Sequence, residues 1–363
     1  MISLPVSSLL AKVLIYPEAV VNINLRQWDL LIRQARSANV LARLAHVLFQ
    51  SEVINSVPEQ ALKHLQSISV YAAQFEISLK WEIKCIREAL EQMNLPVVFL
   101  KGSAYVLACD MAGKSRVFSD IDILVPEKAI PEVERALIKG GWMTNTFDPY
   151  DQRYYREWMH EIPPMRHLKR QTTIDVHHNI LPKTCKFCPD SKKLLANIVQ
   201  TGDNNTWVLA PEDRILHSAT HLFHEGELEQ GFRDLSDLDL LLKEFATHPD
   251  FWNTLLLRAD ELKQRIPLYY ALRYTHAILD TPVPQSVLDQ SEKYLKGRVR
   301  RAFMDFLFLR ALMPNHSSCN DRWTGFARWV LYIRSHALKM PIRLLIPHLL
   351  RKSFRRFSGK DTH

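Results

Sequence analysis

The sequence lacks the marks of a disulfide-bonded secreted protein and of a membrane-spanning protein. Five cysteines among 363 residues, an odd number at scattered positions, argue against a disulfide framework. No uncharged apolar run of about 18 residues occurs, so we expect no membrane-spanning helix. Residues 1–20 include an apolar stretch without a positively charged leader or a clear small-residue cleavage site, and we interpret them as a helix instead of a signal peptide. These absences predict a cytoplasmic protein.

Basic residues are concentrated towards the carboxyl-terminal end. From residue 292 onwards the chain has 16 Lys and Arg against 4 Asp and Glu. Between Arg322 and Lys360 ten basic residues and no acidic residue alternate with aromatic and leucine side chains. Such a segment can contact an acidic partner or lie on an anionic membrane surface, at the inner membrane face; nucleic acid is the less favoured partner. The alternative is a helix pair whose basic face is merely solvated.

An Asp-Ile-Asp triplet at residues 120–122 is the most informative motif. Side chains alternate faces along a strand, so Asp120 and Asp122 point to one side while Ile121 points into a core. Two carboxylates side by side repel each other unless a cation joins them. Mg²⁺ prefers oxygen ligands and keeps positions for phosphate oxygens, so the pair suits a metal-dependent nucleotide site. The alternative is the solvated face of an edge strand.

A strand-to-helix turn precedes this triplet. Residues 95–100 form a short apolar run that predicts a buried strand, and residues 104–107 are typical of a helix start. Gly102 and Ser103 therefore lie at the turn, where backbone N–H groups at a helix N-terminus favour phosphate. Lys101 and Arg116 are the cationic candidates for a triphosphate, although each could instead be solvated or paired with a surface acid.

A second apolar strand, at residues 172–176, contains one acid, Asp175, and is followed by His177 and His178. If this strand pairs beside the Asp120 strand, Asp175 becomes a third carboxylate on the same face. Three carboxylates can hold two metal ions about 4 Å apart, one that activates the attacking oxygen and one that steadies the triphosphate. His177, beside Asp175, could contact phosphate or the acceptor.

Together these residues resemble the uncharacterised bacterial nucleotidyltransferase family of the DNA polymerase beta superfamily. The family pattern is a Leu-Lys-Gly turn, a helix, an Arg shortly before Asp-hydrophobe-Asp, and a later hydrophobe-Asp-hydrophobe-His strand. The corresponding residues here are Leu100–Ser103, Arg116, Asp120–Asp122 and Ile174–His177. The similarity is close between residues 100 and 177 and looser over residues 28–242. One departure is the long spacing of sixteen residues between Ser103 and Asp120.

The resemblance implies an enzyme and a role for each site residue. Asp120 and Asp122 would bind two Mg²⁺ or Mn²⁺ ions, and Asp175 would serve as a metal ligand and as the base for the acceptor hydroxyl. Gly102 and Ser103 would hold the β- and γ-phosphates. The implied nucleotidyltransferase moves a nucleoside monophosphate from ATP or another NTP to an unidentified hydroxyl, of a small molecule, a saccharide or a protein, and releases pyrophosphate.

Two other functions stay open at this point. The fold could be a non-catalytic nucleotide-binding or regulatory module, although the presence of all three carboxylates disfavours a degenerate site. It could also be an antitoxin-like enzyme that nucleotidylates a partner protein, although small antitoxin-type enzymes lack such long flanking helices. The sequence leaves the acceptor, the choice of NTP and the oligomeric state undetermined.

Three further clusters have less specific patterns. One could bind Zn²⁺ tetrahedrally, but its spacing is not that of a familiar zinc finger; its residues are His177, His178, Cys185 and Cys188. The second shares one helix face and could ligate a metal, although such histidines more often line a cleft; its residues are His217, His221 and His224. The third has a substrate or packing role; its residues are Arg233, Asp234 and Asp237.

The apolar periodicity and the resemblance predict an α+β fold, with a small mixed β-sheet core and flanking helices, in four regions. These are an N-terminal helical region (1–95), the nucleotidyltransferase core (96–182), a helical domain that covers the cleft (183–290) and a basic helical region (291–363). Within the core we predict strands at 97–100, 120–125, 142–147 and 167–177, and helices at 103–110 and 127–139. Residues beyond Pro182 are predicted to return to helices.

Overall fold

The computed structural model describes residues 4–144, 146, 148–202, 206–224 and 226–339. They form an α+β fold in which helices flank one mixed sheet, and this confirms the predicted fold class. Among the helices described, none combines the length and the apolar character that a membrane crossing requires. The division into four regions remains a prediction, and the basic segment beyond residue 339 lies outside the described residues.

A seven-stranded sheet forms the centre of the described fold. Its strands are β1 (Val97–Phe99), β2 (Asp120–Leu124), β3 (Trp142–Thr144), β4 (Met165–His167), β5 (Thr173–His177), β6 (Ile198–Gln200) and β7 (Thr206–Leu209). They lie side by side in the order β3-β4-β5-β2-β1-β7-β6. The pairs β2–β5 and β1–β7 are parallel, and the other neighbouring pairs are antiparallel. The strand with the Asp-Ile-Asp triplet is therefore interior to the sheet.

Helices precede, connect and follow these strands. Those before β1 are α1 (Leu9–Ile15), α2 (Leu25–Ser37), α3 (Leu41–Gln50) and α4 (Glu59–Leu90). Those between strands are α5 (Lys101–Leu107), α6 (Ile130–Lys139), α7 (Pro149–Arg153) and α8 (Ser191–Leu195). Those after β7 are α9 (Pro211–His224), α10 (Gly231–Phe245), α11 (Phe251–Glu261), α12 (Arg265–Leu279), α13 (Gln285–Glu292), α14 (Arg298–Ala311) and α15 (Thr324–Lys339).

Local sequence signals explain where several helices begin and end. Helix α2 begins with a capping box. The Asn24 side chain accepts a hydrogen bond from the Gln27 backbone N–H at 3.0 Å, and the Gln27 side chain accepts one from the Asn24 backbone N–H at 2.9 Å. Helix α4 begins directly after Pro58. Helix α6 ends at Lys139, directly before Gly140 and Gly141.

The sequence prediction was wrong in two parts of the sheet. The strand predicted over residues 167–177 is two antiparallel strands, β4 and β5, because Gln171 has a φ of +61° and turns the chain between them. Residues beyond Pro182 include β6 and β7 as well as helices, and β7 pairs with β1. Strands of three and four residues are too short to show alternation. Of the strand predicted at 142–147, residues 145 and 147 lie outside the described residues.

The two faces of the sheet are buried in two apolar clusters. Phe99 and Ile123 belong to the cluster that includes residues of α4 and α6. Val98 and Leu124 belong to the cluster that includes residues of α9, α10 and α12. Because side chains alternate along β2, Asp120 and Asp122 share the face of Leu124. The two carboxylates therefore lie on the sheet face that the later helices cover.

Candidate active site

Three carboxylates meet on adjacent strands and form what we call the carboxylate cluster (Asp120, Asp122 and Asp175). Asp122 on β2 is in register with Asp175 on β5, and Asp120 lies two residues earlier. One oxygen from each residue lies within 4.8 Å of the others. The strand pairing on which the sequence argument depended is therefore present, and it brings the three acids to one place.

Asp122 is the buried member of the cluster, with 4% of its surface exposed. The Lys101 ammonium donates to its Oδ1 at 2.8 Å, and His177 Nε2 lies 2.9 Å from the same oxygen. Burial opposes ionisation, but Lys101 and His177 more than compensate and lower the pKa of Asp122 well below its ordinary value. The carboxylate is thus held ionised, and its Oδ2 has no hydrogen-bond partner among the described residues.

Asp175 has the matching position on β5 but a different environment. Its buried Oδ1 accepts no hydrogen bond from any described residue. Burial, and then the negative charges of Asp122 and Glu161, raise the pKa of Asp175 above the ordinary aspartate value, and His177 opposes this only in part. The three carboxylates of the cluster therefore carry more negative charge than Lys101 and His177 neutralise. Carboxylate oxygens in this arrangement, one of them without a donor, fit a hard divalent cation such as Mg²⁺.

The turn after β1 brings Lys101 to Asp122. Lys101 has a φ of +46°, in the left-handed region that costs a residue with a side chain about 1–2 kcal/mol. At the next position a Cβ on Gly102 would lie 2.6 Å from the Arg116 guanidinium and 2.6 Å from the Phe118 ring, so a side chain there would require Arg116 and Phe118 to shift. The buried Ser103 hydroxyl donates to the Leu100 carbonyl at 2.8 Å. Lys101 and Gly102 thus border the cleft, whereas the Ser103 hydroxyl is engaged within the turn.

Arg116, the second cation predicted for the triphosphate, belongs to a buried arginine network (Arg43, Arg116, Asp234 and Asp237). Arg116 Nε donates to Asp237 at 2.7 Å, and Arg43 donates to the other oxygen of Asp237 at 2.6 Å. Asp234 lies 3.6 Å from Arg116 Nη2. Burial raises the pKa of Asp237, but the positive charges of the two arginines outweigh burial and lower that pKa below its ordinary value. This pairing favours the packing role over the substrate role for Asp237.

Two residues beside the carboxylate cluster were missed by the sequence analysis. Glu161 forms a β-bridge with His177, and the His178 N–H donates to the His160 carbonyl at 2.8 Å. Glu161 Oε2 lies 3.3 Å from His177 Nδ1. Only the pairing of these two separate segments brings His160 and Glu161 to the site, and no motif in their local sequence signals it.

His177, predicted to contact phosphate or the acceptor, lies between the acids Asp122 and Glu161. Burial lowers the pKa of His177, but the hydrogen bond with Asp122 and the charge of Glu161 outweigh burial and raise it. Burial lowers the pKa of His160 well below its ordinary value, so this neighbouring ring is neutral. The site therefore places one basic and one neutral imidazole against its acids.

The two other metal clusters considered from the sequence are not assembled in the described part of the chain. There, potential ligand groups of three or more residues are limited to the carboxylate cluster and to His160, Glu161 and His177. The Cys188 thiol donates to the Leu181 carbonyl at 3.3 Å. Burial lowers the pKa of His217 to about 3 and that of His224 to about 4, so these α9 histidines pack as neutral side chains.

Comparison with known proteins identifies the family of this chain. No curated protein matches it. The model of a family described as uncharacterised nucleotidyltransferase matches residues 24–280, more than half of the chain. The matched region contains the turn after β1, the carboxylate cluster and the arginine network. The chain therefore belongs to the uncharacterised nucleotidyltransferase family.

Proposed function

We propose that this protein transfers a nucleoside monophosphate from an NTP to an acceptor hydroxyl and releases pyrophosphate. The observation that carries the proposal is the carboxylate cluster, whose three members offer one oxygen each within 4.8 Å on adjacent strands. Family membership supplies the reaction class. The resemblance to the polymerase beta-like superfamily implies that the site binds two metal ions, either Mg²⁺ or Mn²⁺.

Asp120, Asp122 and Asp175 are the residues that would hold these ions. When bound, the ions supply neutralisation of the triphosphate charge and activation of the attacking hydroxyl. Asp122 suits a ligand role because Lys101 and His177 keep it ionised through Oδ1 and leave Oδ2 for another partner. Asp120 is less buried than Asp122, and Ser119 donates to its Oδ1 at 2.9 Å, which orients the carboxylate.

Asp175 is the proposed base. The acceptor oxygen forms a bond to the α-phosphorus, the bond from that phosphorus to the bridging oxygen breaks, and pyrophosphate leaves. The hydroxyl proton passes to Asp175, whose Oδ1 has no donor among the described residues. Position in the β2–β5 register keeps this oxygen beside Asp122, so the proton acceptor and the metal ligands lie at one point.

The turn after β1 is the proposed triphosphate site. Because Gly102 has no side chain, the backbone there can approach phosphate closely. The Arg116 guanidinium lies beside Gly102. Lys101 would place its charge between Asp122 and the phosphates. Ser103 would contribute its backbone N–H to the β- and γ-phosphates, because its hydroxyl is donated to Leu100.

The test is metal-dependent NTP binding and turnover. The purified protein is incubated with labelled ATP, GTP, CTP or UTP and Mg²⁺ or Mn²⁺, and bound nucleotide is measured by equilibrium dialysis. We expect binding of at least one NTP that needs the metal and is lost in Asp120→Asn/Asp122→Asn. Asp289→Asn, on an exposed turn of α13, is the matched control and should bind as the wild type does.

The outcome also separates the alternative functions. Absence of NTP binding, or binding that the double variant retains, would contradict the assignment of the site. Binding without nucleotidyl transfer to a cell extract would favour a nucleotide-binding module instead. A partner protein that gains the mass of one nucleotide would identify a protein acceptor, as the antitoxin-like alternative requires, and a labelled small molecule would exclude it.

A further inference from the structure

A second group of metal-ligand atoms lies next to the carboxylate cluster. His160, Glu161 and His177 each offer one ligand atom, and the three atoms lie within 4.8 Å of one another. Glu161 Oε2 is 3.3 Å from His177 Nδ1. The rings of the two histidines have centroids 5.3 Å apart and planes inclined by 37°. Two imidazoles and one carboxylate thus lie close enough together to share one ion.

Two of the nitrogens in this group are buried and have no hydrogen-bond partner among the described residues. They are His160 Nδ1 and His177 Nδ1. His177 is 3% exposed, so water does not reach its ring freely. Buried side-chain nitrogens nearly always have a partner, and two orphaned nitrogens in neighbouring rings call for a common explanation. An ion coordinated by both would satisfy them together.

The backbone holds this group in a fixed arrangement. Glu161 pairs with His177 through a β-bridge, and the Ile162 N–H donates to the Val176 carbonyl at 3.0 Å. On the other side of the bridge the His178 N–H donates to the His160 carbonyl at 2.8 Å. The segment that carries His160 and Glu161 is therefore an extension of the sheet along β5. Preorganised ligands of this kind favour metal binding because little order is lost on coordination.

The second nitrogen of His177 completes a recurrent metal-site pattern. His177 Nε2 lies 2.9 Å from Asp122 Oδ1 and can donate its proton there. A histidine that donates one ring N–H to a carboxylate presents the other nitrogen, here Nδ1, with its lone pair free. In such carboxylate–histidine–metal arrangements the carboxylate fixes the tautomer and the orientation of the ring.

We propose that His160, Glu161 and His177 bind one divalent transition-metal ion of the Zn²⁺ type, at a site separate from the carboxylate cluster. Two imidazole nitrogens and one carboxylate suit Zn²⁺, whereas Mg²⁺ prefers oxygen ligands alone. Three protein ligands leave one tetrahedral position for water or a substrate atom. Coordination would lock the His177 ring and through it the carboxylate of Asp122. The ion is thus a positioning element for the neighbouring site.

The test is Zn²⁺ binding in the absence of nucleotide. The full chain is stripped with a chelator, and Zn²⁺ uptake is measured by titration and by elemental analysis after gel filtration. We expect one Zn²⁺ for each chain, and Co²⁺ in its place should give the visible absorption of a tetrahedral site. His160→Ala and Glu161→Gln should each weaken Zn²⁺ binding by about 100-fold or more. His178→Gln changes the adjacent histidine outside the group and should bind as the wild type does.

Several results would overturn this assignment. They are no Zn²⁺ uptake by wild-type protein, and equal affinity in wild-type and His160→Ala protein that both melt cooperatively. Retention by His160→Ala with loss in Asp120→Asn would place the ion in the carboxylate cluster and would equally refute the proposal. Since no nucleotide is present, failure here leaves the nucleotidyl-transfer proposal standing, and failure of NTP binding leaves the Zn²⁺ site standing.

Discussion

Two groups of buried charges border the same cleft, and they differ in balance. In the arginine network, Asp237 lies between Arg43 and Arg116, and each of its oxygens accepts a charged hydrogen bond. In the carboxylate cluster, Asp175 is in register with Asp122 on the next strand, and its Oδ1 accepts no bond from a described residue. One group pairs its charges, and the other concentrates charges of one sign.

This difference indicates that the arginine network stabilises the fold, whereas the carboxylate cluster is suited to binding a ligand. Ion pairs between Asp237 and the arginines Arg43 and Arg116 hold helices α3 and α10 to the loop before β2. Removal of one partner would leave the other charges buried without a counter-charge. Like charges held together lower the stability of the free protein, and the cation proposed for the carboxylate cluster would offset their repulsion. The two groups should therefore respond in opposite ways to the same Asp→Asn substitution.

The largest expected effect is on catalysis by the carboxylate cluster. Asp175→Asn removes the proposed base and a metal ligand, and should lower nucleotidyl transfer by on the order of 10⁴-fold. The free energy of unfolding of this variant should stay level or rise, because repulsion with Asp122 disappears. Single-turnover rates and urea unfolding measure the two quantities. A variant that loses stability as well as activity would contradict the comparison.

The arginine network should show the reverse behaviour. Asp237→Asn leaves two buried guanidinium groups facing a neutral side chain and should lower the free energy of unfolding by about 3–5 kcal/mol. Glu134→Gln is the control, because it removes a pair with Arg156, whose side chain is 40% exposed, and should cost less than about 1 kcal/mol. Equal losses in urea unfolding would show that the network contributes no more than a surface pair.

Acid should destabilise the helices behind the cleft. Burial lowers the pKa of His217 to about 3 and that of His224 to about 4, from an ordinary value of 6.5. Below pH 6.5 the unfolded chain binds protons that the folded chain excludes, so stability is complete above that pH and falls as the pH drops towards 4. Each histidine should remove about 2 kcal/mol between pH 7 and 5. The stability of His224→Gln should fall less steeply over that range, and an unchanged slope would refute the assignment.

The smallest effect compares two glycines. Gly102→Ala places a Cβ 2.6 Å from the Arg116 guanidinium and the Phe118 ring, and should lower the free energy of unfolding by about 1–3 kcal/mol. A Cβ on Gly325, in helix α15, would meet no atom of the described residues within 4 Å, so Gly325→Ala should raise the free energy of unfolding by about 0.5–1 kcal/mol. Thermal melting of both variants measures the difference. Similar shifts would show that the turn accommodates a side chain.

The sequence predicted the parts of the site that short-range patterns encode. Alternation along β2 placed Asp120 and Asp122 on one face, and the apolar run before Lys101 located the turn. The common face of Asp175 followed only on the condition that β5 pairs with β2, which is a long-range fact. Strands β6 and β7 were not predicted, because three or four residues are too few to show the alternation of apolar and polar side chains that identifies a strand.

Pairing partners were beyond the reach of the sequence. Arg116 lies 121 residues from Asp237 along the chain, and only the packing of α10 brings them together. Lys101 was identified as a candidate cation, but its ion pair with Asp122, 21 residues along the chain, was not predicted. His160 and Glu161 reach the site through a single β-bridge that no local motif signals. Long-range contacts, not residue types, account for each of these differences.

The most direct measurement of the central claim is a crystal structure of the protein soaked with Mn²⁺ and a non-hydrolysable NTP, with anomalous scattering recorded for the ion. We expect anomalous peaks coordinated by Asp120, Asp122 and Asp175, with the triphosphate at the turn that contains Gly102. Anomalous density elsewhere, or a nucleotide bound away from these carboxylates, would contradict it.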